Sequence, residues 1–253
     1  MSLAAFILAV VPAVVLMVMI YKKDKIEPEP IGLLIKLFFF GVLTILPALA
    51  LESLGELIEG VIFEEGSIPL LLFDNFLVVA VAEELVKFYA FRFGAWKHKD
   101  FDYTFDAIVY MGCVAIGFAI PENILYVLDG GVSLAIIRAV TSIPGHICFG
   151  MFMGYYLGRA KACEAAGDIA GRKKNLRLSL IVPVLLHGFF DFTLSTQSLL
   201  MLVCYFIFIV ILDVFAVKLV LKASREDRRI WPEEELFEAG GMISEGDNGE
   251  GQA

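Results

Sequence analysis

Seven apolar runs, each long enough to cross about 30 Å of hydrocarbon as a helix, dominate this chain of 253 residues and leave few folds open to it. They cover residues 3–21, 31–52, 68–91, 104–128, 133–158, 178–195 and 198–221. Hydrophobic residues make up 59% of the chain and charged residues only 19%, against about a quarter charged in a soluble domain. Mean hydropathy is +0.80. Backbone groups in lipid must satisfy one another, which only helices and closed barrels achieve, and runs of this length specify helices. The expectation is an all-α, multi-pass bundle of about seven transmembrane helices in the cell membrane over residues 1–222, followed by a tail over 223–253. That tail is acidic, then Gly-rich, and too polar to bury a core.

The basic residues set the orientation, because Lys and Arg accumulate in loops that stay cytoplasmic. Loops 22–30, 92–103 and 159–177, with the end of the last run and the tail, hold 17 of the 20 basic residues. The alternate loops 53–67, 129–132 and 196–197 hold none, which places the N-terminus outside and the C-terminus in the cytoplasm. Acids gather in loop 53–67 (Glu56, Glu59, Glu64 and Glu65) and in the tail, and the net charge of −9 argues against nucleic acid as a partner. Cys113, Cys148, Cys163 and Cys204 lack paired spacing, so free thiols are expected. The first run has neither a basic lead-in nor a small-residue cleavage site and is read as a retained helix. Gly150, Gly154 and Gly158 make a close-approach face on the fifth run. Packing within the bundle is its plainer use and homodimerisation the sharper one.

Ionisable groups inside these runs carry the functional signal, since each is costly in hydrocarbon unless it faces a partner, water or the bundle interior. The third run holds Glu83, Glu84 and Lys87, with Lys87 able to reach back to either carboxylate on one helical face. Two adjacent carboxylates beside one ammonium allow one acid to stay paired while the other takes a proton, as a general base must. An interfacial salt bridge is the plainer use of the same trio. The fourth run holds Glu122 directly after Pro121, the fifth Arg138 and His146, and the sixth His187 and Asp191 four residues apart on one face. A single polar cluster drawing on four consecutive runs explains so many costly groups more economically than independent burial does. Asp74, Asp106 and Asp213 are further acids at run boundaries or interiors, with structural or interfacial duties expected.

The ordered set Glu83-Glu84-x-x-Lys87, Phe118-x-x-x-Glu122, His146 and His187-x-x-x-Asp191 resembles the signature of the PrsW family of intramembrane peptidases, relatives of the CaaX prenyl peptidases and bacteriocin-processing proteins. The likeness spans roughly residues 80–192 and includes Gly117, Ala119 and Asn123, and it implies a peptidase-like core at about 68–195. Ser142 stands where the superfamily often has Phe, while Lys87 and Asp191 differ from the prenyl-peptidase branch and favour PrsW. The resemblance implies a hydrolase acting on peptide bonds of other membrane proteins, single-span anti-sigma factors among them. Glu83, Glu84, His146 and His187 would be catalytic, with Lys87, Glu122, Arg138 and Asp191 supporting. Two mechanisms fit. A glutamate activates water with no cofactor required, which is the preferred route, or His146, His187 and Glu122 hold Zn²⁺ while a remaining glutamate is the base. The competing reading is a proton- or cation-coupled transporter built on the same carboxylate and His cluster. A receptor or assembly factor with a merely structural polar core is a third.

Overall fold

The computed structural model describes residues 3–24 and 26–231, and within them the protein is built of helices joined by short connections. The helices are α1 (Leu3–Tyr21), α2 (Ile31–Leu43), α3 (Ile45–Ile62), α4 (Ile68–Phe73), α5 (Ala80–Gly94), α6 (Asp106–Val140), α7 (Ser142–Ala165), α8 (Ile169–Ser195) and α9 (Leu199–Arg225). A π-helical segment, Asp74–Val79, joins α4 to α5. Among the described residues, five stretches are long and apolar enough to cross a membrane: Ile31–Ile62, Asp106–Tyr126, Ser133–Ala165, Ile169–Ser195 and Leu199–Arg225. Their outward faces expose large apolar side chains such as Val61, Leu199 and Phe206. An apolar periphery of that extent has lipid as its solvent.

Helix α6 is hydrogen-bonded over 35 residues, yet Arg138 Nε lies 2.8 Å from Asn123 Oδ1. In a straight helix, fifteen residues would separate these groups by about 22 Å. Helix α6 therefore bends sharply between them; the loop expected at 129–132 falls inside the helix, and the break before α7 comes at Thr141. Helices α6 and α7 form the centre of the bundle: α6 packs on α1, α2 and α7, and α7 on α8 and α9. The glycine face of α7 serves this contact. A Cβ on Gly154 would stand 2.7 Å from the Ile108 backbone, and one on Gly158 would meet the Thr104 carbonyl. Only glycine lets α7 and the start of α6 close to this distance, and the face is filled by the chain's own helix.

Three further boundaries differ from the sequence expectation. Helix α3 continues to Ile62, so Glu56 and Glu59 lie on a helix and not in a loop. With Glu52 they fall at helical spacing along one stripe, and the apolar positions between them keep the helix going. Helix α8 starts at Ile169, nine residues early, because Asp168 caps it by accepting the Gly171 amide at 2.8 Å. The first residues of the expected tail are ordered. Ile230 N donates to Asp102 O at 2.6 Å and Thr104 N to Arg228 O at 3.1 Å, strapping the chain beyond α9 across the loop before α6. Residues 232–253, where the rest of the tail falls, lie outside the described residues.

That same end of the bundle buries carboxylates. Oxygens of Asp24, Glu29 and Asp106 come within 4.8 Å of one another, the Tyr110 hydroxyl donates to Glu29, and Asp106 accepts the Tyr103 amide at 2.7 Å. Burial pushes the Glu29 carboxyl up from 4.5 to about 7, and burial together with Asp227 raises Asp24 to about 6. A folded-state pKa above the unfolded one means that the fold binds extra protons, so Glu29 stabilises fully below pH 4.5 and loses that contribution as pH rises through about 7. The thermal midpoint in detergent is expected to fall across this window, and Glu29→Gln to flatten the dependence. A midpoint that rises with pH through this range in the native chain would contradict the assignment.

Candidate active site

Four elements deliver the intramembrane polar residues to one point. Glu83, Glu84 and Lys87 sit on α5, immediately after the π segment, and all three are buried. The Lys87 ammonium donates to Glu83 Oε2 at 3.0 Å and to Glu84 Oε1 at 2.8 Å. It also stands 3.3 Å from His146 Nδ1 and 4.0 Å from the centre of the Phe118 ring. One buried cation thus serves two carboxylates, and removing one partner of such a set costs about 3–5 kcal/mol because the others are left charged and unpaired.

Each imidazole is held from behind. His146 Nε2 lies 2.8 Å from Glu122 Oε2, and the other Glu122 oxygen takes Arg138 Nη2 at 2.7 Å. His187 Nε2 lies 3.0 Å from Asp191 Oδ2, while its Nδ1 lies 3.0 Å from Glu84 Oε1. Phe149 stacks on the His187 ring at 4.8 Å. Both rings therefore turn Nε2 to a carboxylate and Nδ1 toward the glutamate pair. Outer carboxylates used in this way fix a ring's orientation and raise its basicity.

The backbone around these side chains explains how they meet. Gly188 follows His187, and a Cβ there would press on Phe76, 3.0 Å from its Cα, so its absence lets the π segment lie against α8. Asn75 in that segment donates to Leu71 O at 2.7 Å and accepts from Ser195 at 2.9 Å, tying the two elements together. Single π turns inside helices are recurrent at functional sites. Here the turn resets the phase of α5 and sends Glu83 and Glu84 into the bundle.

Every site residue expected from sequence lies in this cluster. Ligand atoms of Glu83, Glu84, His146 and His187 come within 4.8 Å of one another. Glu122, expected with the two His around a metal, instead holds His146 on the side away from this group. Several participants lie outside the expected site set, and of them only Asn123 enters the sequence reading, as part of the family resemblance. Asn123, fully buried, accepts from Arg138; Tyr126 lies under the Arg138 guanidinium at 3.9 Å; and Glu52 on α3 is close enough to feel the charges of Glu122, Lys87 and His187. Asp74 lines the cavity, whereas Asp106 caps a loop and Asp213 meets Cys148 Sγ at 3.5 Å.

Comparison with known proteins separates the candidate functions. A model of the PrsW family of intramembrane metalloproteases matches residues 29–217. The chain belongs to this family. Protease PrsW of Oceanobacillus iheyensis is 39% identical over 189 residues, covering 75% of this chain and 82% of that protein. Protease PrsW of Bacillus subtilis is 37% identical over the same shares, and that of Halalkalibacterium halodurans is 33% identical over 220 residues, 87% and 97% of the two chains. No solved structure matches. The protein is thus a peptidase and a multi-pass membrane protein, and the polar cluster is its candidate active site.

The metal that the family description implies can be tested against these residues. Two imidazole nitrogens and two carboxylates, all buried, are a donor set that suits zinc. Tetrahedral ligands at about 2.1 Å from an ion lie roughly 3.4 Å apart, and here Glu84 Oε1 to His187 Nδ1 is 3.0 Å and Glu83 Oε2 to His146 Nδ1 is 3.9 Å. The second Glu84 oxygen is buried with no hydrogen-bond partner. The set fits a divalent ion, which would compete with the Lys87 ammonium for the same oxygens.

Replacing Glu122 by Ala removes one support of His146 and strands Arg138. Cleavage is expected to fall about 10–100-fold, with the thermal midpoint lowered by the unpaired guanidinium. Parallel measurement of turnover and unfolding checks this, and a variant with native turnover would exclude Glu122 as a positioning residue.

Proposed function

We propose that this chain hydrolyses peptide bonds of other membrane proteins, single-span regulators of the anti-sigma-factor type included, with Glu83 as the general base on the attacking water. The observation that carries this reading is the convergence of both His Nδ1 atoms on the glutamate pair at the wall of an internal cavity. Glu83, His146 and His187 line that cavity and Glu84 does not, which divides the labour between the two glutamates. Glu83 faces the space where water and peptide can sit. Glu84, fully buried, anchors Lys87 and His187.

Glu83 takes a proton from water as its oxygen adds to the scissile carbonyl, then returns that proton to the departing amine. Hydrogen bonds from the positive side of the site stabilise the oxyanion, which is worth most in a space closed to bulk water. Lys87 keeps the paired carboxylates from repelling each other, Asp191 and Glu122 hold the rings, and Arg138 holds Glu122. Of the two routes open from sequence, the geometry favours the metal-assisted one. Glu84, His146 and His187 would hold the ion, which would supply a Lewis acid for the carbonyl. The remaining expectations belong to the same proposal: seven passes with the N-terminus outside and the C-terminus in the cytoplasm, a peptidase core at about 68–195, and a lipid bilayer as the working environment. The basic loops gather at the end of the bundle where the strap over residues 226–231 closes, which supports a common side for them.

New protein N-termini in cells expressing the native chain or Glu83→Gln, matched for folded protein, test the function. Fragments of a single-span membrane protein are expected from the native chain and to fall by about 10²–10⁴ in rate with Glu83→Gln. A chelator is expected to abolish them and added zinc to restore them. Native-level fragments from Glu83→Gln would remove it as the base, and cleavage indifferent to chelators would return the preference to the metal-free route.

A further inference from the structure

Away from the active site, two guanidiniums come to one cavity of about 350 Å³, at the end of the bundle where the strap over residues 226–231 closes. Arg159 reaches it from α7 and Arg228 from the strap, and Tyr155, Thr104 and Glu226 share its wall. Among the described residues neither guanidinium forms an ion pair, whereas their neighbours do: Lys161 and Arg172 hold Glu164 at 3.1 and 2.7 Å, and Arg229 meets Asp102 at 3.9 Å. Arg159 Nη1 donates to the Tyr155 hydroxyl at 3.3 Å, which leaves the phenol proton to donate onward. The backbone of Arg228 is pinned, its amide donating to Thr104 Oγ1 at 3.3 Å and its carbonyl accepting the Thr104 amide at 3.1 Å. The surrounding helices set the depth of the cavity: α7 ends at Ala165, α9 ends at Arg225 and α6 begins at Asp106. It therefore lies where three of the stretches able to cross a membrane leave the hydrocarbon.

We infer that this cavity binds the phosphodiester of a membrane phospholipid, with Arg159 and Arg228 on the phosphate oxygens and Glu226 on a headgroup that carries its own hydrogen-bond donors, as glycerol does. A guanidinium presents a planar fork that matches phosphate oxygens and is weakly hydrated, so it gives up water readily at such a site. Basic pockets between helix ends at the membrane surface suit lipid headgroups for the same reason. The charge of the wall fits this ligand: two guanidiniums and one carboxylate sum to a single positive charge, and a phosphodiester carries a single negative one. Choline offers neither N–H nor O–H and would leave Glu226 without a partner in the headgroup. Inward from the cavity, α9 exposes Val214, Val217 and Leu221, an apolar flank for acyl chains that a free phosphate could not use. A phosphate held by both arginines ties α7 to the strap, so the bound lipid stabilises the strap against opening. This site is separate from the catalytic cluster and stands whatever substrate the peptidase cleaves.

Titration of the detergent-purified full chain with dioleoyl phosphatidylglycerol or dioleoyl phosphatidylcholine, read by native mass spectrometry, tests this. The native chain is expected to bind phosphatidylglycerol at least about tenfold more tightly than Arg159→Gln/Arg228→Gln does, the loss of two charge-assisted contacts, and to show no such preference for phosphatidylcholine. Lys173→Gln/Lys174→Gln, which removes two exposed cations outside the cavity, is expected to bind as the native chain does. Amide exchange supplies a second readout: phosphatidylglycerol is expected to slow exchange of the Ile230 amide, bonded to Asp102 O at 2.6 Å, in the native chain and not in the arginine variant. Should the double change loosen the strap, Arg159→Gln alone, at an exposed position on α7, is expected to lose part of the affinity with the strap intact. Equal affinity of the native chain and the arginine variants for phosphatidylglycerol, or equal affinity of the native chain for the two lipids, would overturn the inference. Displacement of phosphatidylglycerol by millimolar inorganic phosphate would show a site for free phosphate and would overturn the lipid assignment, whereas retention of the lipid in its presence supports it.

Discussion

A charge in hydrocarbon has to be answered by another charge, and in this bundle the Lys87 ammonium is where that accounting starts. It holds Glu83 and Glu84 together at 3.0 and 2.8 Å while touching His146 and the face of Phe118. Without it, two adjacent buried carboxylates would repel each other or take up protons. With it, one carboxylate can remain anchored while its neighbour faces the cavity. Glu122 plays the complementary part across the site, accepting Arg138 on one oxygen and meeting His146 on the other. Most of the charged groups in the polar interior meet a named partner of opposite charge, while one Glu84 oxygen is buried without a hydrogen bond. That explains how so many ionisable side chains coexist in a helix bundle otherwise built for lipid.

The backbone supplies what the charges cannot, which is closeness. Glycines on α7 bring α6 against it, Gly188 admits the π segment to α8, and the π turn rotates α5 so that its glutamates point inward. Rings fixed from behind by Asp191 and Glu122 present the same nitrogen to a common centre. Such preorganisation is what a hydrolytic site needs, because donors already in place require no rearrangement when charge develops in the transition state. An ion bound there would compete with the Lys87 ammonium for the same glutamate oxygens, which would link the site's charge balance to its metal affinity.

Much of this was legible in the residues, and the reasons are physical. Intramembrane Glu, His, Asp and Arg are conspicuous because each is expensive, so the residues that converge in the cluster stood out. Spacing of three and four revealed the Lys87 and His187–Asp191 contacts, since those lie within one helix. Pairings between helices were hidden: nothing in sequence tells that Arg138 chooses Glu122 over Asp191, or that Glu122 stands behind His146 and apart from the ligand group. The loop read at 129–132 is not one: α6 runs through it and bends so that Arg138 meets Asn123. The π turn and the α8 cap were not, because they depend on Gly188 meeting Phe76 and on Asp168 reaching one amide. Neutral contributors such as Asn123, Phe149 and Tyr126 acquire meaning only through the neighbours that folding gives them.

Whether Glu83 and His187, on different helices, act as one hydrolytic unit is read by a double-mutant cycle on cleavage rate. With each variant confirmed as folded, Glu83→Gln and His187→Ala together are expected to lose no more than about tenfold beyond the more damaging single change, as residues of one catalytic unit do. Losses that multiply in full would mean the two residues act independently and would contradict the single centre on which the mechanism rests.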